Sequence, residues 1–358
     1  MSVARSYSSV RRGSAAVALA GLTLSVAACG SGSVASTGDS VSKIANYTGT
    51  DRQDKLVAGA KKEKTFTLYA GPDANITDSL VSTFEKKYPF IKVKVTRAAS
   101  SDVARRIQEE ASAGKSKADV LETSPGVVTE LQKADLVSSF KTPEEAKYPK
   151  ASFTSSFITT RESHVSLGYN TDKVKPADVP KTLDDLLDPK WRGKMALATS
   201  DTGVRWVAAV EEAKGKAFLN KLKQQQIAGQ DISGRALADL IVSGEVVLSP
   251  TIYDSHVSVS KAKGAPIDWQ PIEPVVALPG GVALIKDAPH PNASMLYIDF
   301  AAGKEGQSIY QKNGYDSARS DLATNKTDAD LKKVYIDTRT DYAEKYDGWQ
   351  DDMRAMHK

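Results

Sequence analysis

Thr65-Phe66-Thr67-Leu68-Tyr69-Ala70, closed by Gly71-Pro72, reads as a β-strand that ends in a turn. Leu80, Val81, Phe84 and Tyr88 follow at helical spacing, and Thr77 can cap that helix. Ile91-Lys92-Val93-Lys94-Val95 alternates as a second strand. Ser100 or Ser101 can then cap a helix carrying Val103, Ile107 and Ala111, which Gly114 stops. Ala118-Asp119-Val120-Leu121-Glu122 is a third strand, and Pro125 opens the next helix. Strands alternating with helices imply an open, largely parallel sheet covered by helices, which binds ligands at the carboxyl ends of its strands. Those ends are Gly71-Pro72-Asp73, Ala98 to Ser101, and Thr123-Ser124-Pro125.

A second unit follows the apolar run Val165 to Asn170. Pro- and charge-rich Lys173 to Lys181 reads as a crossing between lobes. Lys194 to Ala198 is a strand leading through Thr199-Ser200-Asp201-Thr202-Gly203 into a helix with Trp206, Val207 and Val210. A helix over Ala236 to Val242 and a strand over Glu245 to Ser249 come next. Pro274 to Lys286 carries the chain back, and the stretch from Asn292 through Leu331, Val334 and Tyr335 reads as mostly helical.

The chain has 358 residues, enough for about two domains. Its one cysteine excludes an internal disulfide framework and a multi-cysteine metal site. Arg5, Arg11 and Arg12 open a segment without acidic residues, followed by an apolar run from Ala15 to Val26. That run is too short to span a bilayer comfortably and fits an export signal. Three of the four excess positive charges are those arginines, so the rest of the chain carries +1, which gives no support to nucleic-acid binding. Val26-Ala27-Ala28-Cys29-Gly30 resembles a bacterial lipobox, which implies diacylglyceryl and palmitate attachment at Cys29. Gly30 to Ser40 reads as a flexible tether.

Tyr169-Asn170-Thr171-Asp172 and Leu186 to Leu197 (LLDPKWRGKMAL) carry a wider resemblance. Further matches are Ser243-Gly244-Glu245, Lys263 to Pro266, Gly281 to Lys286 leading into His290-Pro291-Asn292-Ala293, Ile298-Asp299-Phe300, Glu305-Gly306-Gln307 and Arg319-Ser320-Asp321. From Thr65 to Asp321 this order resembles the solute-binding lipoproteins of ABC importers, in the ferric-iron, thiamine, phosphonate and polyamine branch. Most of these residues read as scaffold, with Trp191, Leu186 and Leu187 as core. The resemblance implies an α/β, two-lobed periplasmic-binding-protein-like (type II) fold. Each lobe is then a mainly parallel sheet flanked by helices, with the ligand cleft between lobes. The expected division is 1–28 signal peptide, 29–46 tether, 47–168 with 277–321 lobe 1, and 169–276 with 322–358 lobe 2.

The implied function is non-catalytic capture of a small solute outside the cell and delivery to ABC permease subunits. The ligand would be Fe(III) or a small anionic or organic solute such as a phosphonate. The chain would act as a monomer held to the membrane by its lipid, with no cofactor and no nucleic acid. A secreted enzyme or a ligand sensor on the same fold is the alternative. No Gly-x-Ser-x-Gly elbow, His-Glu-x-x-His or phosphate-binding loop is present.

Candidate ligand contacts begin with Thr199, Ser200, Asp201 and Thr202, where hydroxyls and free N–H groups at a helix start suit an anion, though the same residues can simply cap the helix. Asp73, Thr123 and Ser124 sit at strand ends, where turns and caps also favour them. Arg161 can pair with an acidic ligand, and Glu273 precedes the return strand. Tyr253, with Asp254 and His256 beside it, is the metal ligand if the cargo is iron, a hard cation that favours phenolate and carboxylate. Ferric binders of the family usually carry two adjacent tyrosines there, where this chain has Ile252-Tyr253. His164 and His290 read as surface residues.

Overall fold

The computed structural model describes residues 37–70, 74–98, 100–232, 234–322, 332–336, 339 and 341–357. The segment expected to be an export signal, Cys29, the start of the expected tether and Asp73 lie outside the described residues. Helices α1 (Thr37–Ala45) and α2 (Arg52–Glu63) lead into β1 (Thr65–Ala70), α3 (Ala74–Lys87), β2 (Lys92–Arg97) and α4 (Ser100–Ser112). Next come β3 (Val120–Thr123), α5 (Pro125–Lys133), β4 (Val137–Ser138), β5 (Phe153–Thr154) and the long β6 (Phe157–Asn170). The middle of the chain forms β7 (Ala196–Ala198), α6 (Asp201–Lys214), α7 (Lys216–Lys223), β8 (Ala228–Gln230), α8 (Gly234–Ser243), β9 (Leu248–Tyr253), α9 (Asp254–Ala262) and β10 (Ile267–Gln270). The return comprises β11 (Val275–Ile285), α10 (Pro291–Ala302), α11 (Lys304–Lys312), β12 (Lys333–Val334) and α12 (Tyr342–Arg354).

Strands β2, β1 and β3 pair in parallel, as the β-α-β-α-β pattern requires. β11 then adds antiparallel to β3, and β6 adds antiparallel to β11. β9 pairs antiparallel along the other edge of β6, and β10 pairs antiparallel with the end of β6 on the same edge as β11, while β7 and β8 pair in parallel beside β9. Two hydrophobic cores result. Phe66, Phe84, Tyr297 and Phe300 centre the first, their ring centroids 5.2–6.3 Å apart. Trp191, Leu197, Trp206, Leu248 and Met353 centre the second, beside a smaller cluster of Leu237, Ile241, Ile252 and Trp269. β6 gives Phe157 and Ile158 to the first core and Val165 and Leu167 to the second; β11 divides in the same way. These two antiparallel strands are therefore the crossings between lobes.

Four local readings change. Lys173 to Lys181 is not a crossing: Val174 and Val179 are buried in the second core, and the Lys173 ammonium donates to the Gly244 carbonyl. The ordered chain begins before residue 46, because Val41 and Ala45 of α1 are fully buried against the first core. Val334 is not helical but belongs to β12, which pairs with β11. The strand expected over Glu245 to Ser249 begins at Leu248 and runs to Tyr253, because Glu245 to Val247 form the connection out of α8. The family-like residues Leu186, Trp191 and Arg319 are buried. Arg319 binds both oxygens of Asp321 at 2.8 and 3.0 Å, as well as Glu144 and the Ala302 carbonyl. Among the described residues no helix is long and apolar enough to cross a membrane.

Candidate functional site

A cavity of about 650 Å³ opens where both lobes meet the crossing strands. Each lobe contributes the start of two helices. From the first come Ala74 to Ile76 at the head of α3, and Thr123 and Ser124 at the head of α5. From the second come Gly234 and Arg235 of α8, and Tyr253, Ser255 and His256 around the start of α9. The first N–H groups of a helix lack intrahelical acceptors, and the helix dipole places partial positive charge there. Four such ends around one cavity suit an anion.

The side chains add to that bias. Among the described residues, two arginines and one carboxylate line the cavity: Arg161, Arg235 and Glu122. Arg161 leaves β6 beside a bulge, where the pairing with β11 shifts between Gly280 and Gly281 and Thr160 is the extra residue. Its guanidinium meets Glu122 at 2.7 Å and lies 5.7–5.8 Å from the ring centroids of Tyr310 and Tyr315. Gly280 makes room for it, since a Cβ there would stand 2.7 Å from Arg161 Cζ. Arg161 is thus held in place before any ligand arrives. Arg235 pairs with Asp239 and donates to the His256 carbonyl. The Thr123 hydroxyl is buried and has no hydrogen-bond partner among the described residues. Tyr310, whose hydroxyl donates to Glu122 at 3.3 Å, is wholly buried, and burial first, then the Glu122 charge, pushes its phenol well above the usual range.

Tyr253 lines the cavity, with its hydroxyl 2.5 Å from that of Thr202 and its ring 5.1 Å from the ring of His256. No second tyrosine lies next to it in sequence; the other cavity tyrosine is Tyr315, on the opposite wall.

Of the expected contacts, Thr123, Ser124, Arg161 and Tyr253 come together here. Thr199, Ser200, Asp201 and Thr202 do not reach the cavity. The Thr199 N–H donates to Gln230, Asp201 accepts from Tyr346 of α12, and Thr202 stands behind Tyr253. The smaller β7–β8 pair sits outside β9, so the start of α6 is screened from the cleft by the Tyr253 side chain. Asp254 is buried and turned toward His164, away from the cavity lining. Glu273 is exposed and accepts from the Lys332 N–H outside the cleft. His164 is fully buried and His290 half-buried, its ring 3.0 Å from Asp119. The sequence reading missed Glu122, Ser163, Arg235, Ser255, Asn313 and Tyr315 as lining residues. Period-2 alternation from Arg161 signals Ser163, and the start of α8 signals Arg235, but nothing local signals Asn313 or Tyr315.

The description "Bacterial extracellular solute-binding protein" matches residues 66–316. The chain is 26% identical to the Fe(3+)-binding periplasmic protein of Serratia marcescens over 71% of this chain and 78% of that protein. It is 25% identical to Iron uptake protein A2 of Synechocystis over 70% of this chain and 76% of that one. Among solved structures, iron-bound HitA from Pseudomonas aeruginosa superposes with a TM-score of 0.68 at 23% identity, covering 81% of this chain and 99% of that one. AfuA from Actinobacillus pleuropneumoniae with fructose-6-phosphate bound gives a TM-score of 0.67 at 21% identity, with the same coverage. The two-lobed fold, the cleft between its crossing strands and the family match agree: the chain belongs to the bacterial extracellular solute-binding proteins.

Proposed function

We propose that this protein captures a small organic anion, of the phosphate-ester or phosphonate class, outside the cytoplasm and delivers it to an ABC permease. The observation that carries this reading is the convergence of four helix N-termini on a cavity where the one carboxylate among the described lining residues, Glu122, is already paired with Arg161. Such a cavity is electropositive, and its volume suits a solute of sugar-phosphate size. Ferric iron is the second reading, favoured by the iron-binding relatives and by Tyr253 in the cavity wall. Bare Fe(III) needs several anionic oxygens to balance its charge, and the lining here supplies few. Lipidation at Cys29 would keep the monomeric protein at the membrane, and intact-mass analysis of the N-terminal peptide tests it.

Thermal unfolding in the presence of hexose phosphates, inorganic phosphate, phosphonates, thiamine, polyamines and Fe(III) citrate tests the ligand class. Saturating ligand at a hundredfold excess over Kd adds about 2.7 kcal/mol of stability. Stabilisation by phosphate esters or phosphonates is the expected result. Stabilisation by Fe(III) alone, with a phenolate-to-iron absorption band that Tyr253→Phe abolishes, would overturn the anion reading.

Thr123→Val is expected to weaken anion binding roughly tenfold, because a hydrogen bond to a charged group contributes about 1.5–3 kcal/mol. The unliganded protein should melt no lower, since the lost hydroxyl is a buried donor without a partner. Calorimetric titration beside a melting curve checks both halves.

A further inference from the structure

We infer that His164 is a charged pin that ties both lobes to crossing strand β6, so that its proton controls how firmly the lobes are held together. Along β6, Arg161 and Ser163 face the ligand cavity, while Glu162 and His164 face away from it. The His164 ring is fully buried among three carboxylates, each from a different element. Glu162 on β6 meets Nε2 at 2.8 Å. Asp254, the first residue of α9, meets Nδ1 at 3.0 Å. Asp316, in the segment after α11, lies 3.5 Å from the same nitrogen.

Asp254 and Asp316 belong to opposite lobes. α9 packs through Val257 into the second lobe, whereas Tyr315 and Ala318 around Asp316 pack on the first core. Charged and polar groups also reach the cluster through Glu162: the Lys333 ammonium of β12 at 3.0 Å and the Tyr335 hydroxyl at 3.3 Å. The Asp254 carboxylate also accepts the N–H groups of His164 and Ser255, and Glu162 and Asp316 exchange backbone hydrogen bonds. Ser255 lines the cavity and lies 3.0 Å from Ser163 through their hydroxyls, so the cluster stands directly behind the cavity wall.

A neutral imidazole carries one N–H and could satisfy only one of these acids, leaving buried carboxylates from the two lobes facing each other. The imidazolium donates from both nitrogens. Burial works against its charge, but the hydrogen bonds it donates to Asp254 and Glu162 outweigh it and push the pKa up to about 9. Burial likewise opposes the Glu162 charge, yet His164 and Lys333 hold its carboxyl down near 2. A histidine raised from an unfolded value near 6.5 contributes stability that is complete below that pH and is lost as pH rises through about 9.

Carbon-13 imidazole NMR of the purified protein tests the pin independently of any ligand. One of the four histidines should titrate near pH 9, and its resonance should vanish in His164→Gln. The wild-type melting temperature should fall by roughly 5 °C between pH 7.5 and 10, and much less in His164→Gln. Asp254→Asn retains the imidazole but removes an acid that raises it, so its midpoint should drop toward 6.5. At pH 7.5, hydrogen exchange in His164→Gln should quicken both at the start of α9 and at the Glu162–Asp316 bridge. A midpoint at or below 6.5, or exchange that changes only within β6, would overturn the pin. So would stoichiometric zinc or manganese released on acid digestion and lost in His164→Gln, because a metal-bound imidazole is neutral.

Discussion

Arg161→Ala should abolish measurable binding of the anionic ligand and lower unfolding stability by about 3–5 kcal/mol. Two separate causes act at once. The ligand loses the cation on the cavity floor, and Glu122, only 4% exposed, loses the guanidinium 2.7 Å away. A buried carboxylate deprived of its cation either stays charged at high cost or takes a proton. The double variant Arg161→Ala/Glu122→Gln separates these effects. It should recover most of the stability in urea unfolding, because the uncompensated charge is gone, while anion binding stays lost. Recovery of binding in the double variant would mean that Arg161 serves only to neutralise Glu122. Arg161→Lys should restore charge but not affinity, since an ammonium cannot hold Glu122 and a ligand oxygen in the planar fork of the guanidinium.

Gly281→Ala should cost about 3 kcal/mol. On β11, a Cβ at this position would stand 2.0 Å from the Ile158 carbonyl oxygen and 2.6 Å from the Phe157 ring. The oxygen is backbone of the neighbouring crossing strand, so relief requires β6 and β11 to separate at the bulge that aims Arg161. Ligand affinity should fall with stability. Gly348→Ala is the matching control: it is exposed on α12, a Cβ there meets nothing within 4 Å, and alanine is the better helix former. That variant should gain roughly 0.5–1 kcal/mol. Urea denaturation of both proteins beside the wild type checks the pair. Equal stability in the two would remove the close approach of the crossing strands as a constraint.

Much of the architecture could be read along the chain. The alternation from Thr65 to Pro125 specified the parallel β2-β1-β3 sheet, because helix and strand periodicities of apolar residues differ and each repeats over several residues. Pro125 and Gly114 marked helix ends through their own backbone limits, and Gly114 takes the left-handed conformation at φ 62°. The long β6 was seen only from Val165 onward, because Arg161, Glu162, Ser163 and His164 break the apolar pattern in its middle.

That polar interruption is where the site lies, and it explains what local reading could not reach. Strand ends and helix starts named Thr123, Ser124 and Tyr253, since those positions follow from the sheet type. Thr199 to Thr202 has the same local grammar but belongs to a strand pair lying outside β9, and no spacing along the chain states which strand is outermost. A polar residue on a crossing strand reads as exposed until its partners arrive from elsewhere in the sequence. Asp254 lies 90 residues from His164, and Glu122 lies 39 from Arg161. Fold class and the near-neutral charge of the chain beyond its first 28 residues thus follow from residue order, through periodicity and composition. The buried charge at His164 and the held position of Arg161 exist only where distant segments meet, because a side chain's solvation and ion pairing are set by neighbours in space.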